Sequence, residues 1–226
     1  KVTNTHVAVS NGVAADIKKL SKQKNIKVIY NGIKLNNLNK IKSLVSKKTI
    51  ISAGRFDSQK DFSTLLQAFN ILKDKLTDIN LTLIGDGLEN KKIKTYINQK
   101  QLNNLVKLKK WQNNISRYLK NSTLFILSSL YEGFPYVILE AMSFCLPIVS
   151  TDTPFGPREI LDNGKYGILV PMKNPKAMAE AMYELLTDKN KYQYYSKKSL
   201  ERAIFFSENK MLRAYKKIIL KELRQK

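Results

Sequence analysis

Leu124-Phe125-Ile126-Leu127, Ser128-Ser129-Leu130, Tyr131-Glu132-Gly133-Phe134-Pro135 and Tyr136-Val137-Ile138-Leu139-Glu140 follow one another without interruption. The first four residues are an unbroken apolar run, the pattern of a strand covered on both faces. A Gly-Phe-Pro corner then hands the chain to a helix. Proline has a fixed φ and no N–H, so Pro135 suits the first helical position. The amides gathered at such a helix start form a positive end where anions settle. Glu132 precedes the helix and Glu140 lies well inside it, so a ligand held by its phosphates meets two further carboxylates. Both are acceptors suited to pairs of hydroxyls. Taken singly, each reads equally well as a solvated charge, and only the rest of the chain separates the two readings.

Outward from this corner, short apolar runs alternate with amphipathic stretches. Strands are predicted at 49–53, 81–84, 105–108, 124–127, 148–150 and 167–170, and helices at 62–72, 88–97, 177–186 and 211–223. Such alternation predicts an α/β fold, a Rossmann-like parallel sheet with helices on both faces. Ligands of open sheets bind outside the carboxyl ends of the strands. The polar clusters at 54–60, 85–87, 109–113, 128–135 and 151–158 all fall at such ends, so they describe one site. The chain's ends fit this sheet less well. Residues 6–30 read as a small β-α-β piece, and 34–48 as a polar connector. The expected organisation is therefore 1–33 as the remnant of a preceding domain, 34–48 as connector, 49–205 as the ligand-binding domain and 206–226 as a C-terminal helix. That helix is read with Leu212, Tyr215, Ile218 and Ile219 on one face and a solvated basic face opposite.

The 226 residues carry a formal net charge of +22, which raises nucleic acid and anionic membranes as partners. Only six of the 40 basic residues are arginine: Arg55, Arg117, Arg158, Arg202, Arg213 and Arg224. Base-edge and planar phosphate recognition favour the guanidinium fork, so no nucleic-acid partner is expected. Peripheral contact with anionic lipid headgroups remains compatible with the charge. No run approaches the roughly 18 apolar residues of a membrane helix, and the first residues lack a signal peptide's apolar run, which makes the cytoplasm the expected compartment. Cys145 is the one cysteine and reads as a buried packing thiol.

Gly54-Arg55-Phe56-Asp57-Ser58-Gln59-Lys60 follows one predicted strand and precedes a helix. It places a guanidinium and an ammonium on one loop, about the positive charge that a diphosphate needs. When a sugar leaves a nucleoside diphosphate, charge builds on the departing phosphate, and fixed cations in a water-poor cleft stabilise it. The sequence holds no Asp-x-Asp pair, histidine cluster or cysteine pair suited to a metal. No metal and no cofactor are expected, and Arg55 and Lys60 take the metal's place.

These residues together resemble a known family. Gly54-Arg55 with Lys60, Gly85-Asp86-Gly87 and Glu132-Gly133-Phe134-Pro135 running to Glu140 are similar to the nucleotide-sugar-binding half of retaining GT-B glycosyltransferases of family 4, the group 1 family. Asn31-Gly32-Ile33, Gly156-Pro157-Arg158-Glu159-Ile160 and Tyr166-Gly167-Ile168-Leu169-Val170-Pro171 match its further landmarks. The resemblance implies a GT-B C-terminal half that takes a nucleoside diphosphate sugar, with uridine expected as the base, and passes its sugar to a glycan or lipid-linked acceptor with retention. It also implies roles. Arg55 and Lys60 hold the diphosphate, and Glu140 holds the ribose. Glu132 with Gly133, Phe134 and Pro135, followed by Tyr136, holds the sugar and β-phosphate. Gly54 ends the strand, Gly85 lets the nucleotide approach, and the loop around Trp111 borders the base. By itself Trp111 reads equally as core packing. Lys109-Lys110 departs from the family's apolar residue and glycine at these positions. Family members place an acceptor-binding domain first, so the resemblance implies a chain that binds donor but does not transfer alone. His6 in the first strand is read as structural. A non-catalytic nucleotide-sugar-binding module and a GT-B-fold epimerase are the alternatives.

Overall fold

The computed structural model describes residues 5–21, 25–35 and 48–224; most of the expected connector lies outside them. Strand β1 (His6–Ala8), helix α1 (Asn11–Leu20) and β2 (Ile26–Val28) open the chain, with β1 and β2 paired in parallel. There follow β3 (Lys48–Ala53), α2 (Phe62–Lys73), β4 (Ile79–Ile84), α3 (Asn90–Gln99), β5 (Val106–Lys109) and α4 (Ser116–Lys120). The second half comprises β6 (Leu124–Leu127), α5 (Tyr136–Ser143), β7 (Ile148–Thr151), α6 (Pro157–Ile160), β8 (Ile168–Val170), α7 (Pro175–Thr187), α8 (Lys189–Phe205) and α9 (Glu208–Leu223).

Strands β3 to β8 form one all-parallel sheet in the order β5-β4-β3-β6-β7-β8. Chain order and sheet order reverse between β3 and β6, the doubly wound arrangement whose crevice lies at that switch point. The expected α/β architecture is the observed one.

Alternation along each strand sends neighbours to opposite faces. Ile50, Leu124 and Ile126 pack with Leu65, Phe69 and Leu72 of α2 and Met178, Met182 and Leu185 of α7 in one core. Ile51, Phe125 and Leu127 pack with Ile138, Leu139 and Met142 of α5 in the other. Each fully buried Leu, Ile or Phe contributes about 1.5–3 kcal/mol relative to exposure, so two filled faces hold the sheet rigid beneath its loops. Cys145 is buried, as expected.

Local chemistry starts the helices. Asp61 at the N-cap of α2 accepts from the Thr64 amide, and Asn174 before Pro175 does the same for the Ala177 amide of α7. Pro135 departs from expectation by one position: it is the N-cap of α5, with ψ at 94°, and Tyr136 is the first helical residue. Helix α8 was not foreseen. Its buried residues are Tyr192, Ser196, Ser199 and Ala203, and hydroxyls dock it: Tyr192 donates to the Thr123 carbonyl, Ser196 to that of Cys145 and Ser199 to that of Leu146.

Helix α9 begins at Glu208, three residues earlier than read, and its expected face divides. Leu212 and Ile219 are exposed whereas Tyr215 and Ile218 are half-buried. The helix runs back to the opening piece, where Ser207 bridges Ile33 and the Thr5 hydroxyl donates to Glu222.

Candidate functional site

Beyond their shared register, β3 and β6 separate, and the loops that follow them enclose a cleft of about 450 Å³. Ala53, Gly54, Arg55 and Lys60 line it from the β3 side, and Glu132, Phe134, Pro135, Tyr136, Val137 and Glu140 from the β6 side. Ile84 and the segment with Trp111, Gln112, Asn113 and Ile115 close the third side. Sequence reasoning had named Arg55, Lys60, Glu132 and Glu140, and the fold brings all four to this one cleft. Gln112 and Asn113 fall within the expected cluster at 109–113, whereas Ala53, Ile84, Ile115 and Val137, which carry no charge or glycine signal of their own, were not among the expected site residues.

The two loops are fastened to each other through backbone. Leu130 donates its amide to the Gln59 carbonyl, the Gln59 side chain donates to the Tyr131 carbonyl, and the Ser128 hydroxyl donates to the Lys60 carbonyl. The Thr151 hydroxyl of β7 donates to the Ser129 carbonyl. Bonds of this kind fix where side chains start, which is the precondition for a preorganised site.

Lys60 Nζ lies 2.5 Å from Glu132 Oε1, and the two side chains are 15% and 8% exposed. The Ser129 hydroxyl donates to the same carboxylate oxygen at 2.7 Å. The stem of Lys60 rests on Gly54, where an added Cβ would stand 3.2 Å from Cε. Arg55 is mostly solvated, pairing with Asp57 at 3.2 Å and donating to Gln59. Glu140 is held differently. Burial raises its carboxyl above the usual range, and neither a hydrogen bond nor an ion pair reaches it among the described residues. A desolvated acceptor without a donor is a place for hydroxyls from outside.

Trp111 is 58% exposed at the cleft rim, which removes the core-packing reading. Gly85 and Gly133 do not line the cleft. A Cβ on Gly85 would stand 1.9 Å from the Gly54 carbonyl oxygen and 2.8 Å from the Phe56 ring, so glycine there lets two strand-end loops touch. Phe134 stacks on Tyr30 and meets Phe206 edge-on, combining lining with packing. Burial, then the neighbouring carboxylates Glu140 and Glu208, push the Tyr136 phenol up, and its hydroxyl donates to the Gly32 carbonyl.

The 156–160 turn braces the corner from outside. Gly156 has φ at +75°, and an added Cβ would stand 2.8 Å from Pro135 Cδ. Glu159 accepts from the Asn11 amide and side chain and from the Tyr30 hydroxyl, fastening the opening β-α-β piece beside the cleft. Sequence reasoning had quoted this turn without finding that role. No cluster of three or more metal-ligating side chains occurs among the described residues.

The family described as glycosyl transferases group 1 matches residues 34–202. An uncharacterized glycosyltransferase of Methanocaldococcus jannaschii is 33% identical over 198 residues, covering 75% of this chain and 48% of the relative. N-acetylgalactosamine-N,N'-diacetylbacillosaminyl-diphospho-undecaprenol 4-alpha-N-acetylgalactosaminyltransferase of Campylobacter jejuni is 30% identical over 200 residues, covering 87% of this chain and 54% of the relative. The chain thus spans about half the length of these curated relatives. Among solved structures, Anabaena HepE in complex with UDP and glucose superposes with a TM-score of 0.86 at 21% identity, over 97% of this chain and 64% of that one. Staphylococcus aureus TarM, solved as a mutant with UDP, gives 0.85 at 24% identity, over 94% of this chain and 43% of that one. The fold is the one these glycosyltransferase structures share, and the chain belongs to the group 1 family of glycosyltransferases.

Proposed function

We propose that this chain is the donor-binding half of a retaining glycosyltransferase that takes a sugar from a uridine diphosphate sugar and passes it to a glycan or lipid-linked acceptor. The observation that carries the reading is the convergence of Arg55, Lys60, Glu132 and Glu140 on one cleft at the switch point of a doubly wound sheet. Arg55 and Lys60 meet the diphosphate and neutralise the charge that grows as the sugar departs. Glu140 accepts from the ribose hydroxyls. Glu132, with the start of α5, positions the sugar and stabilises the charge that develops on it. Trp111, with Gln112 and Asn113, borders the base, an arrangement that gives an aromatic face and two amides for a flat polar ring. Donor binding needs no metal in this reading, and a chelator leaves it unchanged.

The acceptor side and the transfer step require protein beyond these residues, consistent with relatives about twice as long. The acceptor is met at the cytoplasmic face of a membrane, where the net charge of +22 attracts anionic lipid. Calorimetric titration with uridine, guanosine and adenosine diphosphates tests the donor reading. The uridine form is expected to bind tightest; no binding of any of the three would end the reading.

A further inference from the structure

Resting on that reading, we infer that the Lys60–Glu132 pair makes the cleft discriminate between a sugar-bearing nucleoside diphosphate and the bare diphosphate, through a penalty that Glu132 imposes on the latter. The two side chains neutralise each other at 2.5 Å with little solvent around them. A diphosphate that draws the Lys60 ammonium toward itself removes the cation from Glu132. Among the described residues the Ser129 hydroxyl is then the one donor left on that carboxylate, and a new negative charge stands beside it. Arg55, the other cationic residue lining the cleft, does not take the place of Lys60: it is engaged by Asp57 and Gln59 on the solvent side.

A sugar changes the balance. Its hydroxyls supply the donors that Glu132 has lost and separate it from the phosphates, so a ligand with a sugar satisfies the carboxylate while one without leaves it unpaired and repelled. A shielded acceptor left without a partner is disfavoured, and discrimination built from such a repulsive element acts against the wrong ligand. The stem of Lys60 runs beside Gly54, and rotation about its last bonds carries the ammonium from Glu132 toward the phosphates. The consequence for turnover is that the same group favours the loaded donor and expels the spent diphosphate.

The test is titration of the full chain and of Glu132→Gln with uridine diphosphate, uridine diphosphate glucose and uridine diphosphate N-acetylglucosamine. Removing the charge is expected to tighten bare uridine diphosphate about fivefold while leaving or weakening the sugar nucleotides, so that the preference for the loaded form collapses. Glu132→Ala removes the same charge and is expected to give the same direction, which guards against a defect peculiar to one substitution. Unchanged or weaker binding of the bare diphosphate by both variants would overturn the inference and leave the donor site standing. Failure of the unmodified chain to bind any of the three ligands would overturn both.

Discussion

The ring of Tyr30 lies against that of Phe134 with centroids 5.7 Å apart and 29° between their planes, joining the opening β-α-β piece to the corner that carries Glu132. The Tyr30 hydroxyl donates to Glu159 at 2.6 Å. Burial, then the hydrogen bond and charge of Glu159, push this phenol up from 10.0 to about 12. A raised acid favours its neutral form in the folded chain, so its contribution to stability is complete below pH 10 and is lost as pH climbs through about 12. Denaturant titration should show the unmodified chain losing stability across that window more steeply than Tyr30→Phe. At neutral pH the same variant should be about 1–2 kcal/mol less stable, since the hydroxyl also accepts from the Asn11 side chain and two hydrogen bonds are lost.

Arg55→Ala should weaken uridine diphosphate binding by about 1.5–3 kcal/mol, the loss expected of a charge-assisted contact. Because Arg55 is mostly solvated, melting temperature should hardly change. Calorimetry alongside thermal denaturation separates the two effects, and an unaltered affinity would place the phosphates elsewhere.

Gly85→Ala should damage the cleft from a position outside its lining. The new methyl would meet the Gly54 carbonyl oxygen, which is backbone and cannot rotate away. Separating the two loops is expected to cost about 2–3 kcal/mol of stability, in the range of overpacked interiors. Nucleotide affinity should fall as well, because Gly54 and Arg55 move with the displaced loop. Loss of stability without any loss of affinity would show that the loop ends are independent.

Glu140→Gln should reveal the cost of a half-buried carboxylate that has no partner among the described residues. Burial raises its folded-state value, so its contribution is fully present below the unfolded-state pKa and is lost as pH rises through the higher folded one. The neutral glutamine escapes that loss. At pH 7 the variant should melt about 2 °C higher than the unmodified chain, a modest shift for a chain of this size, and at pH 4 the difference should vanish. Uridine diphosphate should bind the variant more weakly, since an amide accepts two hydroxyls less well than a carboxylate does.

The strands that build the crevice were legible because their apolar runs are continuous: 124–127 was placed to the residue and 49–53 to within one. Arg55 and Glu132 were legible because each sits next to a glycine at a strand end, Lys60 because it shares the loop of Arg55, and Glu140 because it lies in the helix that the Gly-Phe-Pro corner starts. Helix α8 was not, since it docks through Tyr192, Ser196 and Ser199 hydroxyls reaching carbonyl oxygens, and an apolar period is blind to such contacts. The direct pairing of Lys60 with Glu132 also escaped the sequence, which assigned each to a different part of the ligand. Two residues 72 positions apart meet only once the sheet order is known.

Strands β3 and β6 share just two register pairs, Ile50 with Leu124 and Ile51 with Phe125, whereas β3 and β4 share six. The crevice therefore marks a seam between two blocks of strands, each continuous in sequence. A molecule gripped from both sides would act as a stitch across it, raising the opening free energy of the two blocks together and making the sheet more cooperative when loaded than when empty.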